Sequence, residues 1–95
     1  MIIRSGYKYK NIINIRMRYL SYVYDDFGDG MELSLNHPED LISLSTENVR
    51  ISNIRRCTNL KNLCSYFNYY KKCDIDPLNN LLRVYSYEEQ YTGDG

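Results

Sequence analysis

Three cysteines, one histidine and two charge-rich stretches are the places in this 95-residue chain where chemistry could reside. Cys57, Cys64 and Cys73 stand seven and nine positions apart, with no CxxC pair among them. Zinc sites usually draw two ligands from one short loop, which presents both thiolates to a tetrahedral ion. The wider spacing predicts no metal. An odd count also argues against a secreted disulfide framework, so reduced thiols are expected. His37 precedes Pro38 in a predicted turn, and no motif supplies the Ser or Cys that would make it a catalytic base. The acids of DDFGDG, 25–30, alternate as in a calcium loop, but the segment lacks the later Glu that such a loop needs. Asp and Gly there predict a turn instead. Neither a phosphate loop nor a dinucleotide fingerprint occurs. The expectation is a chain with no catalytic residues, no metal and no cofactor, hence not an enzyme.

The second charge-rich stretch, GYKYKNIINIRMRY, interleaves Tyr with Lys and Arg. Stacking rings beside cations can track a single-stranded nucleic acid, so residues 7–24 are the candidate surface for such a partner. Against it stands a net charge of zero over the whole chain. The charges are sorted into blocks. Residues 1–24 carry Arg4, Lys8, Lys10, Arg16 and Arg18 and no acid. Residues 25–47 carry Asp25, Asp26, Asp29, Glu32, Glu39, Asp40 and Glu47 and no base. Residues 48–72 carry Arg50, Arg55, Arg56, Lys61, Lys71 and Lys72 and no acid. Residues 73–95 carry Asp74, Asp76, Glu88, Glu89 and Asp94 against Arg83. The blocks are expected either as four solvated faces or as stacked layers that attract one another.

Ordinary hydrophobic and charged content predicts one globular domain, residues 1–91, with 92–95 as a flexible tail. No apolar run reaches the length of a secretory leader or a membrane span, so an intracellular protein that does not enter a membrane is expected. Ile13, Ile15 and Met17 alternate with polar residues and run into YLSYVY, a strand signal. Met31, Leu33 and Leu35 alternate again beyond the turn cluster. A hairpin joining 17–24 to 31–35 is one reading. HPEDL, 37–41, suits a helix start, and Leu60, Leu63, Cys64, Phe67 and Tyr70 share a helical face. These signals together describe an alternative fold: a compact α+β domain with an N-terminal β-hairpin and helices near 38–46 and 58–72. That shape would suit a small viral or phage inhibitor or adaptor of a host protein.

The competing signal is a phrase written twice. NLKNLCSYFNYY, 59–70, and NLLRVYSYEEQY, 80–91, agree at Asn59/Asn80, Leu60/Leu81, Leu63/Val84, Ser65/Ser86, Tyr66/Tyr87 and Tyr70/Tyr91. DLISLST, 40–46, and YLSYVYD, 19–25, echo it, which puts the leading leucines at Leu20, Leu41, Leu60 and Leu81. A period near 20 predicts stacked units, each a short strand plus a return segment. CTNLKNLCSYFN, 57–68, resembles one leucine-rich repeat, LxxLxLxxN: Leu60, Leu63, Ser65 and Asn68 take the four places. Leu81, Val84, Ser86 and Glu89 follow; Leu41, Leu44, Thr46 and Val49 precede, with Asn48 one position early. Leu20, Val23 and Asp25 make the poorest copy. The chain is similar to the short Asn- and Tyr-rich repeats of large DNA viruses and other AT-rich genomes. The resemblance implies an α/β fold: a small leucine-rich-repeat-like solenoid of about four short parallel strands with an irregular or hairpin N-terminal part.

In such a stack the residues between core positions form outward columns. They are expected to be Tyr22, Ser43, Asn62 and Arg83; Tyr24, Ser45, Cys64 and Tyr85; and Asp26, Glu47, Tyr66 and Tyr87. Tyr and Arg carry much of the binding energy at interfaces. The candidate site for a protein partner is therefore Tyr22, Tyr24, Tyr66, Arg83, Tyr85 and Tyr87. Leu20, Val23, Leu41, Leu44, Leu60, Leu63, Leu81 and Val84 are expected to share one core.

Overall fold

YLSYVY and the Met31/Leu33 alternation become strands, but Ile13, Ile15 and Met17 do not: Asn11–Asn14 is a 3-10 turn and the strand begins only at Tyr19. In the computed structural model, which describes residues 1–26, 30–66 and 69–86, the strands are β1 (Ile2–Ser5), β2 (Tyr19–Tyr24), β3 (Met31–Leu33), β4 (Ser43–Glu47), β5 (Val49–Ile51), β6 (Asn62–Ser65) and β7 (Arg83–Ser86). Buried and more exposed positions alternate along β2, β4, β5 and β6, which places one face of each against the core. The strands form a five-stranded sheet in the order β1-β2-β4-β6-β7 and a two-stranded sheet of β3 and β5, and every pairing is parallel. Short 3-10 turns at Asn11–Asn14, Pro38–Asp40 and Ile54–Arg56, and the four-residue helix α1 (Lys72–Ile75), lie between strands. The chain is a small α/β-like domain of mostly parallel strands with little helix.

This arrangement overturns the α+β alternative. Residues 19–24 and 31–33 do not pair as a hairpin, because each lies parallel to a strand further along the chain. Region 38–46 holds a single 3-10 turn and then β4; region 58–72 begins in a turn and then enters β6 at Asn62. The helical periodicity of Leu60 and Leu63 loses to burial: both are fully enclosed in the core when 62–65 is extended. Phe67 and Asn68, the asparagine position of the best repeat, lie outside the described residues, as does the 92–95 tail.

The register decides the core. Leu20 pairs with Leu44, Leu44 with Leu63 and Leu63 with Val84. The expected partner of Leu20 was Leu41, so the N-terminal strand sits three residues away from its expected place. The step from Leu20 to Leu44 is 24 residues, against 19 from Leu44 to Leu63. The difference has a local cause: one residue, Asn48, separates β4 from β5, whereas residues 25–30 separate β2 from β3. Residues 25–30 are thus an insertion in the spacing, and Asn48 alone spans the equivalent junction between β4 and β5. Asn48 does so with φ 58°, a conformation that Asn tolerates better than most residues, and its Nδ2 donates to the Tyr24 carbonyl at 3.0 Å.

Leu20, Leu41, Leu44, Leu60 and Leu63 are buried, as expected, with Leu35, Val49, Ile51, Ile54, Cys57 and Leu78 beside them. Val23 and Leu81 are only half-buried, and Val84 is 46% exposed. The shifted register turns Val23 to the other face. Val84 sits on the edge strand of the described sheet, with Leu63 on one side only. Leu44→Ala and Leu63→Ala should each cost about 2–5 kcal/mol, while Val84→Ala should cost under about 1 kcal/mol. Urea unfolding of the three variants measures the contrast.

Candidate functional site

The outward columns can be read from the register. One is Tyr19, Ser43, Asn62 and Arg83; the next is Ile2, Ser21, Ser45, Cys64 and Tyr85. From β4 onward these are the expected columns. At β2 the three-residue shift replaces Tyr22 by Tyr19 and Tyr24 by Ser21. Tyr22 and Tyr24 are 0% and 3% exposed, so neither belongs to an outer binding face. Tyr85 is 42% exposed, Arg83 is exposed and Tyr66 is half-buried just beyond β6; Tyr87 lies outside the described residues. The structure therefore brings Arg83 and Tyr85 together and adds Tyr19 and Ile2, which repeat spacing missed. Only the pairing of Leu20 with Leu44 in the structure places them there; the sequence carries no local signal for that register.

The face has a distinct relief. Ser43, Ser45, Asn62 and Cys64 are short and form a floor on β4 and β6. Arg83 and Tyr85 rise along β7, and these six residues line a groove of about 400 Å³. Tyr19 and Ile2, 60% and 86% exposed, stand on the opposite strands β2 and β1. Among the described residues no group of three His, Cys, Asp or Glu side chains is placed to hold a metal, and no helix is long and apolar enough to cross a membrane.

The two core tyrosines have another task. The Tyr22 hydroxyl accepts from the Tyr9 N–H at 2.9 Å and donates to the Tyr7 carbonyl at 3.3 Å, which ties down the segment after β1. Lys8 in that segment lies over the Tyr24 ring at 5.8 Å, within cation–π range. Two of the five aromatic residues in the candidate nucleic-acid stretch, Tyr22 and Tyr24, are thus unavailable for stacking on bases, while Tyr7, Tyr9 and Tyr19 remain exposed. A matching device closes the two-stranded sheet. The Tyr70 hydroxyl accepts from the Ile51 N–H at 3.0 Å, and Arg50 packs over its ring and donates Nε–H to the Tyr69 carbonyl at 2.7 Å.

Serine and threonine at the third repeat position now have a physical role. Thr46, Ser65 and Ser86 point inward and are buried, with Thr46 Oγ1 and Ser65 Oγ hydrogen-bonded at 2.9 Å. Ser65 also faces the Tyr70 phenol. Short hydroxyl side chains leave room for that ring and satisfy its polar tip. Burial pushes the Tyr70 phenol up from its ordinary value, against the lowering effects of the Ile51 N–H, Ser65 and Arg50. Burial, reinforced by Glu39, pushes the Cys57 thiol from 9.0 up to about 12. All three thiols are free; Cys57 is buried, Cys64 is half-buried in the groove floor and Cys73 is exposed.

No family model matches the chain, and no curated protein or solved structure matches it either.

Three measurements follow from this geometry. Tyr70→Phe removes the hydroxyl that accepts from the buried Ile51 N–H and should destabilise the fold by about 1–3 kcal/mol in urea unfolding. Iodoacetamide labelling read by mass spectrometry should modify Cys73 first, Cys64 more slowly and Cys57 only after unfolding; a native disulfide would overturn that order. Below pH 9.0 the Cys57 thiol is protonated whether folded or unfolded. Above it the unfolded thiol ionises while the folded one resists up to about 12, so stability should fall across that window, less steeply in Cys57→Ala.

Proposed function

We propose that the chain is a non-catalytic protein-interaction module, a leucine-rich-repeat-like solenoid of short parallel strands that docks a protein partner on its outer sheet face. The observation that carries the reading is that face. All-parallel sheets are normally covered on both sides, yet here one side presents Ile2, Tyr19, Arg83 and Tyr85 around a floor of small side chains. Tyrosine and arginine are among the side chains that most often dominate interface energetics. A groove floored by Ser, Asn and Cys accepts a projecting side chain or an extended segment between those anchors. The revised binding set is Tyr19, Tyr66, Arg83 and Tyr85, with Cys64 at its centre.

Three supports bear on the repeat reading. Strand order follows chain order, with every pairing parallel. The junctions repeat in detail: Ile42 and Ser43 donate to the Arg18 carbonyl, Lys61 and Asn62 to that of Ile42, and Leu82 and Arg83 to that of Lys61. Asn59 Nδ2 reaches back to the Glu39 carbonyl and Asn80 Nδ2 to that of Thr58, both at 2.8 Å. Reduced thiols persist in a reducing compartment, which favours an intracellular site of action.

The test is a pair of variants. Arg83→Ala with Tyr85→Ala should abolish capture of the partner by the immobilised 95-residue chain and leave the melting temperature within a few degrees of the parent. Attaching a bulky maleimide to Cys64 in a Cys73→Ser background should block the same capture, whereas Arg55→Ala, in a 3-10 turn off the sheet, should not. Unfolding of the double variant would make Arg83 and Tyr85 structural; unchanged capture by a folded double variant would remove this face from the interaction.

A further inference from the structure

The groove in the outer face has a chemical bias of its own. Ser43, Ser45 and Asn62 in its floor are half-buried, and Arg83 on its wall is exposed. Among the described residues none of these four side chains finds a hydrogen-bond or ion-pair partner. All four can donate: two hydroxyls, an amide and a guanidinium. No acid among the described residues lines the groove. Glu47 shares the face of β4 with Ser43 and Ser45, but it lies four residues from Ser43, about 13 Å along the strand. Asn62 is the register neighbour of both Ser43 and Arg83. Three of the four donors therefore stand in one row across β4, β6 and β7. Neighbouring strands lie about 4.8 Å apart, so one carboxylate set between Asn62 and Arg83 can accept from both.

The other arginines supply the contrast. Arg4–Asp25, Arg16–Asp40, Arg50–Glu32 and Arg56–Glu39 are ion pairs at 3.2, 3.2, 3.4 and 3.3 Å. Each joins one charge block to an adjacent block of opposite sign, so these four cations are neutralised within the fold. Arg83 is the one base in the final, acidic block, yet it pairs with no carboxylate among the described residues. A cation beside a row of small donors, with no acid of its own at hand, is complementary to a negative group brought from outside.

We infer that the partner seats an acidic side chain, a glutamate or aspartate of an extended segment, against Arg83, Asn62 and Ser43. The inference rests on the outer face being the docking surface and names what that surface recognises. The guanidinium donates to one carboxylate oxygen, and the amide and hydroxyl donate to the lone pairs that remain. The half-buried floor shields these contacts from water and strengthens them.

Two short synthetic peptides test it, identical and otherwise uncharged except for a central glutamate in one and glutamine in the other. Each is titrated into the isotope-labelled 95-residue chain, and amide shifts report both site and affinity. The glutamate peptide should shift Ser43, Asn62 and Arg83 and bind about tenfold more tightly than its glutamine counterpart. Added salt should shrink that advantage. Arg83→Gln should erase it, and Arg83→Lys should keep part of it. Asn62→Asp sets a carboxylate beside Arg83 and should erase it as well. Thermal melts check that each variant is folded. Equal binding of the two peptides at these residues would overturn the carboxylate and leave the docking face standing. A glutamate advantage that survives in folded Arg83→Gln would also overturn it, as would shifts at these residues from neither peptide. An oligothymidylate that binds the same residues more tightly than the glutamate peptide would replace the acidic segment with a nucleic acid. The docking face itself falls on a separate result, unchanged partner capture by the folded Arg83/Tyr85 double variant.

Discussion

Parallel pairing between successive strands is the constraint on which everything else rests. Two parallel neighbours cannot be joined by a tight turn, because the chain must return to the starting end before it can pair again. Each step from β2 to β4, β4 to β6 and β6 to β7 therefore carries its own return segment, built from a second short strand or a turn and then a 3-10 or helical turn. That requirement sets a period near 20 residues. It also lines up equivalent residues as columns, since a strand added in register repeats the inward and outward choices of its neighbour. The leucine column Leu20, Leu44 and Leu63 is the direct result, and so is the outer row of Ser43, Asn62 and Arg83.

Return segments that contain little regular structure leave many backbone groups to be satisfied, and in this chain asparagine and tyrosine do that work. Asn53 grips Leu35 with both ends of its amide, its Oδ1 accepting at 3.0 Å and its Nδ2 donating at 2.7 Å. Asn36 meets Asn14 across the neighbouring junction. Tyr22 and Tyr70 bring hydroxyls from buried rings to the backbone at Tyr9 and Ile51. A buried N–H or carbonyl without a partner is costly, so these contacts hold the segments between strands where no ladder reaches. Abundant Asn and Tyr thus have structural employment here, and only a fraction of the tyrosines remains for recognition.

The ion pairs add specificity more than stability. Each is at least partly exposed and worth little by itself. Their value is directional. A layer that slipped past its neighbour would bring like charges together, Arg4 or Arg16 toward Arg50 and Arg56. The alternation of blocks therefore reinforces the order that the backbone ladder sets.

The sequence by itself determined the alternation of buried and exposed residues, the period, the repeated Asn-Leu phrase and the inward leucines from Leu41 to Leu63. Those signals are local, or compare like with like, and survive any detail of packing. It left the choice between strand and helix at 58–72 open, because Leu60, Leu63, Cys64, Phe67 and Tyr70 share a helical face while the repeat calls for a short strand. Only the tertiary structure decided that choice, by pairing Leu63 with Leu44 on the extended segment 62–65 and burying Leu60 just ahead of it. It alone placed Leu20 opposite Leu44 as well. The insertion at 25–30 breaks the spacing while leaving each strand's own pattern intact, so nothing local reveals which residue of β2 faces which of β4. A shift of three residues, an odd number, exchanges the two faces of a strand. That is why Tyr22 and Tyr24 lie in the core and Tyr19 stands on the surface.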